Sequence, residues 1–298
     1  MTDNIVRAVD SEGRIRIIAA DTRYLVDTAR QMHNTSPTAT AALGRTLTGA
    51  LLMSVTMKND KDRLTINIKG DGPIGRIVVS AKGNGEVKGY VNHPEADLPL
   101  RERDGKLDVG GLVGQGTLTV VMDQGLKEPY VGKTQLISGE IAEDLAAYFY
   151  QSDQIPSVVS LGVLVDVDYS VKQAGGFLLQ LMPGADEALI EKVEHSISGL
   201  KAVTTMLDEG MTPKDIIAKV MEGFDVKYLE ETTASYQCDC SREKVTDSLL
   251  SLGRDELQAI LEEDGQAEVV CHFCNTKYHF DAPALQSMLE HISDTQDN

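Results

Sequence analysis

The chain has 298 residues, enough for one sizeable core and one or two small satellites, and its 42% hydrophobic content is ordinary for a globular protein. A formal charge of −18 works against phosphate backbones, which are held by basic patches that displace counterions, so nucleic acid is not an expected partner. No run of about 18 apolar residues occurs, and the first residues lack the basic-then-apolar order of a signal peptide; the expectation is no membrane association and a cytoplasmic location.

Apolar and β-branched runs predict strands at 5–9 and 14–20. Ser36 then supplies an N-cap and Pro37 the first position of a helix running to about residue 58. Its residues Ala39, Ala41, Ala42, Leu43, Leu47, Ala50, Leu51 and Met53 cover too much of the circumference for a surface helix, which predicts a buried helix packed on a sheet. Further strands are expected at 64–69, 76–80, 86–91 and 117–122, a helix at 140–150, and strands at 158–167 and 177–181. This order is neither a run of hairpins nor a regular β-α alternation, so the class is α+β: a mixed core domain at 1–184 with a mainly antiparallel sheet around one buried helix.

Two patterns in this domain invite functional readings that their context does not support. Gly70-Asp71-Gly72-Pro73-Ile74-Gly75 matches a dinucleotide fingerprint, but a strand follows instead of a helix, so no helix N-terminus is there to hold a pyrophosphate and the segment reads as a turn. Asp166 and Asp168 would share one face of a strand end, where solvated acids are the usual case. No nucleophile, base and orienting group can be assembled, and the chain does not read as an enzyme.

Pro183-Gly184 marks a break, after which Leu189, Val193, Ile197, Leu200 and Leu207 recur at helical spacing as one apolar stripe. Thr212, Pro213 and Asp215 form the start of a further short helix that Gly223 stops. Residues 185–231 are thus expected to be a helical linker, too short for its own core, with that stripe docked on the first domain.

The remainder, 232–298, carries 13 acidic against 4 basic residues and is too small to be stable on hydrophobic burial alone. Its staple is expected to be Cys238, Cys240, Cys271 and Cys274, which fall within 37 residues after 237 positions without a cysteine. Two short thiolate clasps separated by 30 residues suit one tetrahedral Zn²⁺. His272, His279 and His291 lie in or near the clasps, but four thiolates already complete the shell. An inert zinc knuckle remains one reading. Against it stands the one-residue gap of the first clasp, which holds two sulfurs together when the metal is absent, and the formal charge of −2 on a four-thiolate zinc site, which Arg242, Lys244 or Lys277 could offset in part and which an oxidant could attack.

Seven separate stretches then carry a family resemblance. They are Gly70-Asp71-Gly72-Pro73-Ile74-Gly75 with Gly89-Tyr90-Val91, Ser152-Asp153-Gln154-Ile155-Pro156 with Leu161-Gly162-Val163, the segment 175–184, Cys238-Asp239-Cys240-Ser241-Arg242-Glu243 and Cys271-His272-Phe273-Cys274. Together they resemble the 33 kDa chaperonin family, the redox-regulated bacterial heat-shock holdases. The resemblance implies an ATP-independent chaperone, inactive while reduced and zinc-bound, whose core domain at 1–184 binds clients and dimerises. On oxidation, disulfides Cys238–Cys240 and Cys271–Cys274 would form, zinc would leave, and the C-terminal domain and linker would unfold. Unfolding client proteins would then bind, and the active form would be a homodimer. The competing readings are a thiol-disulfide oxidoreductase using Cys271 and Cys274, and a constitutive zinc-ribbon interaction module.

Overall fold

The computed structural model describes residues 2–296 and divides between Gln237 and Cys238 into two compact units. In chain order the first unit contains β1 (Asn4–Asp10), β2 (Ile15–Asp21), α1 (Arg23–His33), α2 (Pro37–Ser54), β3 (Arg63–Gly70), β4 (Arg76–Lys82) and β5 (Glu86–Val91). It continues with α3 (Val109–Val113), β6 (Gly116–Asp123), β7 (Tyr130–Gln135), α4 (Ala142–Tyr148), β8 (Ser157–Val165) and β9 (Val171–Leu181). It ends with α5 (Glu187–Ile197), α6 (Val203–Asp208), α7 (Pro213–Val220), β10 (Val226–Thr233) and β11 (Ser235–Tyr236).

Two sheets are built from these strands, in the orders β10-β1-β2-β9-β8 and β11-β5-β4-β3-β6-β7. Every pairing is antiparallel except β11 on β5, so the class is α+β as the sequence predicts. Helix α2 packs against strands of both sheets, and every one of its residues except Pro37 and Arg45 is buried. Ser36 caps it by accepting from Ala39 N at 3.1 Å. Gly44 and Gly49 permit the close fit: a Cβ at Gly44 would lie 2.6 Å from Val26, and one at Gly49 2.6 Å from Leu145. Hydroxyls in this apolar setting satisfy themselves on the helix, Thr46 donating to Ala42 O and Thr48 to Gly44 O. The helix ends at Ser54, short of residue 58, because the chain turns there towards β3.

The first sheet is buried on both faces, since period-2 alternation sends neighbouring residues to different cores. Ile5, Ile18 and Leu178 face the core around α2, while Val6, Ile17 and Leu179 face a second core roofed by α5, α6 and α7. The helices expected as a linker therefore belong to the same compact unit as the sheets, and the unit continues through β10 and β11 to Gln237.

Local corrections follow from tertiary partners. The helix expected at 140–150 is α4 followed by one π-helical turn, Phe149–Asp153. The strand expected at 158–167 stops at Val165, so Asp166 and Asp168 sit in a hairpin turn where Tyr169 takes φ 68°. Gly70–Gly75 is a turn as read; a Cβ at Gly70 would fall 1.8 Å from the Val113 carbonyl oxygen, so only glycine fits there.

The second unit contains α8 (Arg242–Leu250), α9 (Arg254–Glu263), the hairpin β12 (Gln266–Val270) and β13 (Lys277–Asp281), and α10 (Ala282–Gln296). Its core consists of Val245, Leu249, Leu257, Phe280, Leu285, Met288 and Leu289. Among the described residues no helix is long and apolar enough to cross a membrane.

Candidate metal centre

Two local structures bring the cysteines together. Cys238 and Cys240 lie in the irregular segment that enters α8, whose N-cap Ser241 accepts from Lys244 N at 3.3 Å. Cys271 and Cys274 occupy the turn between β12 and β13, closed by Cys271 N donating to Thr276 O at 2.9 Å and Asn275 N donating to Cys271 O at 2.7 Å. Asn275 takes the left-handed φ of 56° that so tight a reversal requires, a conformation asparagine tolerates.

All four Sγ atoms lie within 4.8 Å of one another, with Cys238 to Cys271 at 3.7 Å and Cys240 to Cys274 at 3.4 Å. A tetrahedron with metal–sulfur bonds of about 2.3 Å has edges of roughly 3.8 Å, so this donor set fits a four-coordinate thiophilic cation. Three histidines near the clasps stand outside the group: His272 and His291 are exposed, and His279 lies 3.3 Å from Glu268.

Hydroxyl groups touch two of the sulfurs. Tyr278 donates to Cys240 Sγ at 3.1 Å, and Thr276 Oγ1 lies 3.2 Å from Cys274 Sγ. As thiols, the four do not titrate alike. Burial pushes Cys238 and Cys271 up. Burial opposes the Cys274 thiolate too, but hydrogen bonds from the Thr276 hydroxyl and backbone outweigh it and bring this thiol down to about 7. Hydrogen bonding to Cys240 holds the Tyr278 hydroxyl protonated, pushed up to about 12. Gathered thiols resist ionising together because like charges repel, and a bound dication removes that resistance.

The cations that the sequence offered as charge relief each hold another partner. Lys244 binds Asp239 at 3.0 Å, Arg242 donates to His279 O and covers the Phe280 ring at 4.3 Å, and Lys277 pairs with Glu268 at 3.0 Å. Sequence reasoning missed Thr276 and Tyr278. The available signal was two hydroxyl residues at a spacing of two directly after the second clasp.

The other candidate positions fall in the first unit. Leu189, Val193 and Leu207 are buried in the second core, and Ile197 and Leu200 are partly buried against it. Asp168 is held below the usual carboxylate range by hydrogen bonds from Ser170, as expected of a solvated turn acid.

The Hsp33 protein family matches residues 3–281 of the chain. The 33 kDa chaperonin of Clostridium perfringens is 48% identical over 291 residues, which cover 97% of this chain and 91% of that protein. The 33 kDa chaperonin of Desulforamulus reducens is 48% identical over 294 residues, 99% of each. The crystal structure of the 33 kDa chaperonin (heat shock protein 33 homolog) of Thermotoga maritima matches with a TM-score of 0.90 at 40% identity, covering 99% of this chain and 100% of that one. A match that runs through the sheets, the helices on them and both cysteine clasps places the chain in the Hsp33 family, and it belongs there as a chaperone and not an enzyme.

Proposed function

We propose that this chaperone is an ATP-independent holdase switched by oxidation, with one Zn²⁺ held by Cys238, Cys240, Cys271 and Cys274. The observation that carries the reading is the convergence of four sulfurs within 4.8 Å in a unit whose core, among the described residues, holds seven buried apolar side chains. When bound, zinc keeps the sulfurs as thiolates, their reactive form, and ties the entry of α8 to the β12–β13 hairpin. Structural zinc contributes on the order of 10 to 16 kcal/mol to small sites, comparable with the whole stability of a domain.

A cysteine sulfur attacks peroxide: an S–O bond forms, the O–O bond breaks and hydroxide leaves, giving a sulfenic acid. The second sulfur of the same clasp then attacks the first; the S–S bond forms, the S–O bond breaks and a second hydroxide leaves. The pairs in this reading are Cys238–Cys240 and Cys271–Cys274, and two peroxides oxidise all four sulfurs and release the metal. Rings this small remove little chain entropy and do not replace the staple, so the zinc unit unfolds.

The chain that leaves β10 and then β11 runs directly into Cys238, so unfolding of that unit frees the C-terminal end of β11, the strand that follows β10. Lifting α5–α7 would then uncover Leu189, Val193, Ile197, Leu200 and Leu207 and the sheet face they cover, including Val6, Ile17 and Phe177. Apolar patches beyond a few hundred Å² bind other chains, here unfolding client proteins in the cytoplasm, with a homodimer as the active form. A dithiol oxidoreductase is disfavoured because Cys271 and Cys274 occupy a hairpin turn and not a helix N-terminus.

The test follows zinc release with a chromogenic chelator during peroxide treatment, with light scattering of a heat-denaturing client in the same samples. Suppression of scattering that tracks zinc release is the expected result. Release without suppression, or zinc retained under peroxide, sinks the switch and leaves a constitutive zinc module.

A further inference from the structure

We propose that Tyr278 is a positioning residue that sets how readily the four-sulfur centre yields to oxidant, by donating its hydroxyl to Cys240. This rests on the zinc and redox reading above and adds a named control on its threshold.

A four-thiolate site with a dication carries two surplus negative charges, which nearby cationic groups or hydrogen-bond donors can relieve. Here Lys244, Arg242 and Lys277 are engaged with Asp239, with His279 O and the Phe280 ring, and with Glu268. Hydroxyl donors take that place. Tyr278 OH lies 3.1 Å from Cys240 Sγ, and Thr276 Oγ1 3.2 Å from Cys274 Sγ. Both come from the same end of the hairpin, two residues apart, and both serve the trailing cysteine of a clasp.

The Tyr278 hydroxyl is held in place from two sides. Its backbone pairs with Val269 across the hairpin, and its ring packs partly buried against the small core of this unit. A donor fixed in this way withdraws charge from the sulfur it touches. A thiolate with less charge attacks peroxide more slowly, while the metal-bound, unoxidised state is stabilised by a charge-assisted hydrogen bond. Once one sulfur of a clasp has become a sulfenic acid, its partner attacks within the same chain, where proximity makes the second step fast whatever the donor does. The hydroxyl therefore governs the first, peroxide-consuming step.

The experiment compares the zinc-loaded full chain with Tyr278→Phe, which keeps the ring in the core and removes only the donor. Zinc release is followed over a series of peroxide concentrations, with first-modified cysteines trapped as sulfenic acids and located by mass spectrometry. The expected result is a second-order rate constant about 3- to 10-fold higher in the variant, the range that partial loss of one charge-assisted hydrogen bond allows, with Cys240 gaining label. Thr276→Val is expected to do the same at Cys274, and Thr276→Ser to stay at the wild-type rate. A Tyr278→Phe rate equal to wild type, in chains with equal zinc content, overturns this inference alone. A wild-type chain that holds no zinc, or keeps it under peroxide, overturns the reading beneath it and the inference together.

Discussion

Asp144 shows how much of this fold hangs on single buried acceptors. It is fully buried and accepts from Ile137 N at 2.7 Å, Ser138 N at 3.1 Å, Gly139 N at 3.3 Å and Ile141 N at 2.9 Å. The same loop holds Ile141 at φ 71°, a strained conformation for a β-branched residue. Asp144→Ala orphans four donors and is expected to destabilise the first unit by about 3 to 5 kcal/mol, read from its urea midpoint. Asp3 acts through pH. Burial raises its carboxyl to about 6, against hydrogen bonds from Tyr24 N and Leu25 N. Because the folded state holds the proton more tightly than the unfolded chain, its stabilising contribution is complete below about pH 4 and is lost as pH rises through about 6. Asp3→Asn is therefore expected to gain on wild type by up to about 3 kcal/mol between pH 4 and pH 7, measured by parallel denaturation curves. The four cysteines were legible as residues because their spacing is a metal-ligand pattern in itself. Neither Asp3 nor Asp144 was, since each gains its role from backbone groups that only folding brings to it.

Among the elements, α2 was read correctly as buried because its apolar positions leave no polar face, and α7 because Thr212 and Asp215 form a local capping box around Pro213. Thr212→Ala is expected to cost about 1 kcal/mol and to speed amide exchange in α7 before the sheets respond. Helix α5 carries the stronger test. Leu189→Glu places a charge in the second core and is expected to give aggregation suppression without oxidant; a silent reduced variant would count against uncovering of that face. Helix α1 and strands β7 and β10 were not anticipated. Strand β10, VKYLEETT, is mostly exposed and lacks alternation, so only its pairing with β1 defines it. Helix α1 is started by Asp3, the residue just before β1, in place of a local cap.

For the whole molecule, the division after Gln237 separates a unit with two large cores from one with a single small core and four clustered sulfurs. Removing zinc with a strong chelator is expected to open residues 238–298 to protease first and α5–α7 after them, while the part of the first unit up to β9 survives as a fragment, seen by mass spectrometry. Equal resistance with and without the metal would refute the staple. The sequence by itself determined the α+β class, the buried helix, the apolar stripe and the four sulfur positions, because periodicity, local caps and ligand spacing are written within a few residues of each other. The tertiary structure alone decided that the first unit continues through β10 and β11 to Gln237, that the nearby cations hold Asp239, His279 O and Glu268, and that Thr276 and Tyr278 reach the sulfurs. Those outcomes depend on contacts between distant segments, which pairing and packing select only when the whole chain has folded.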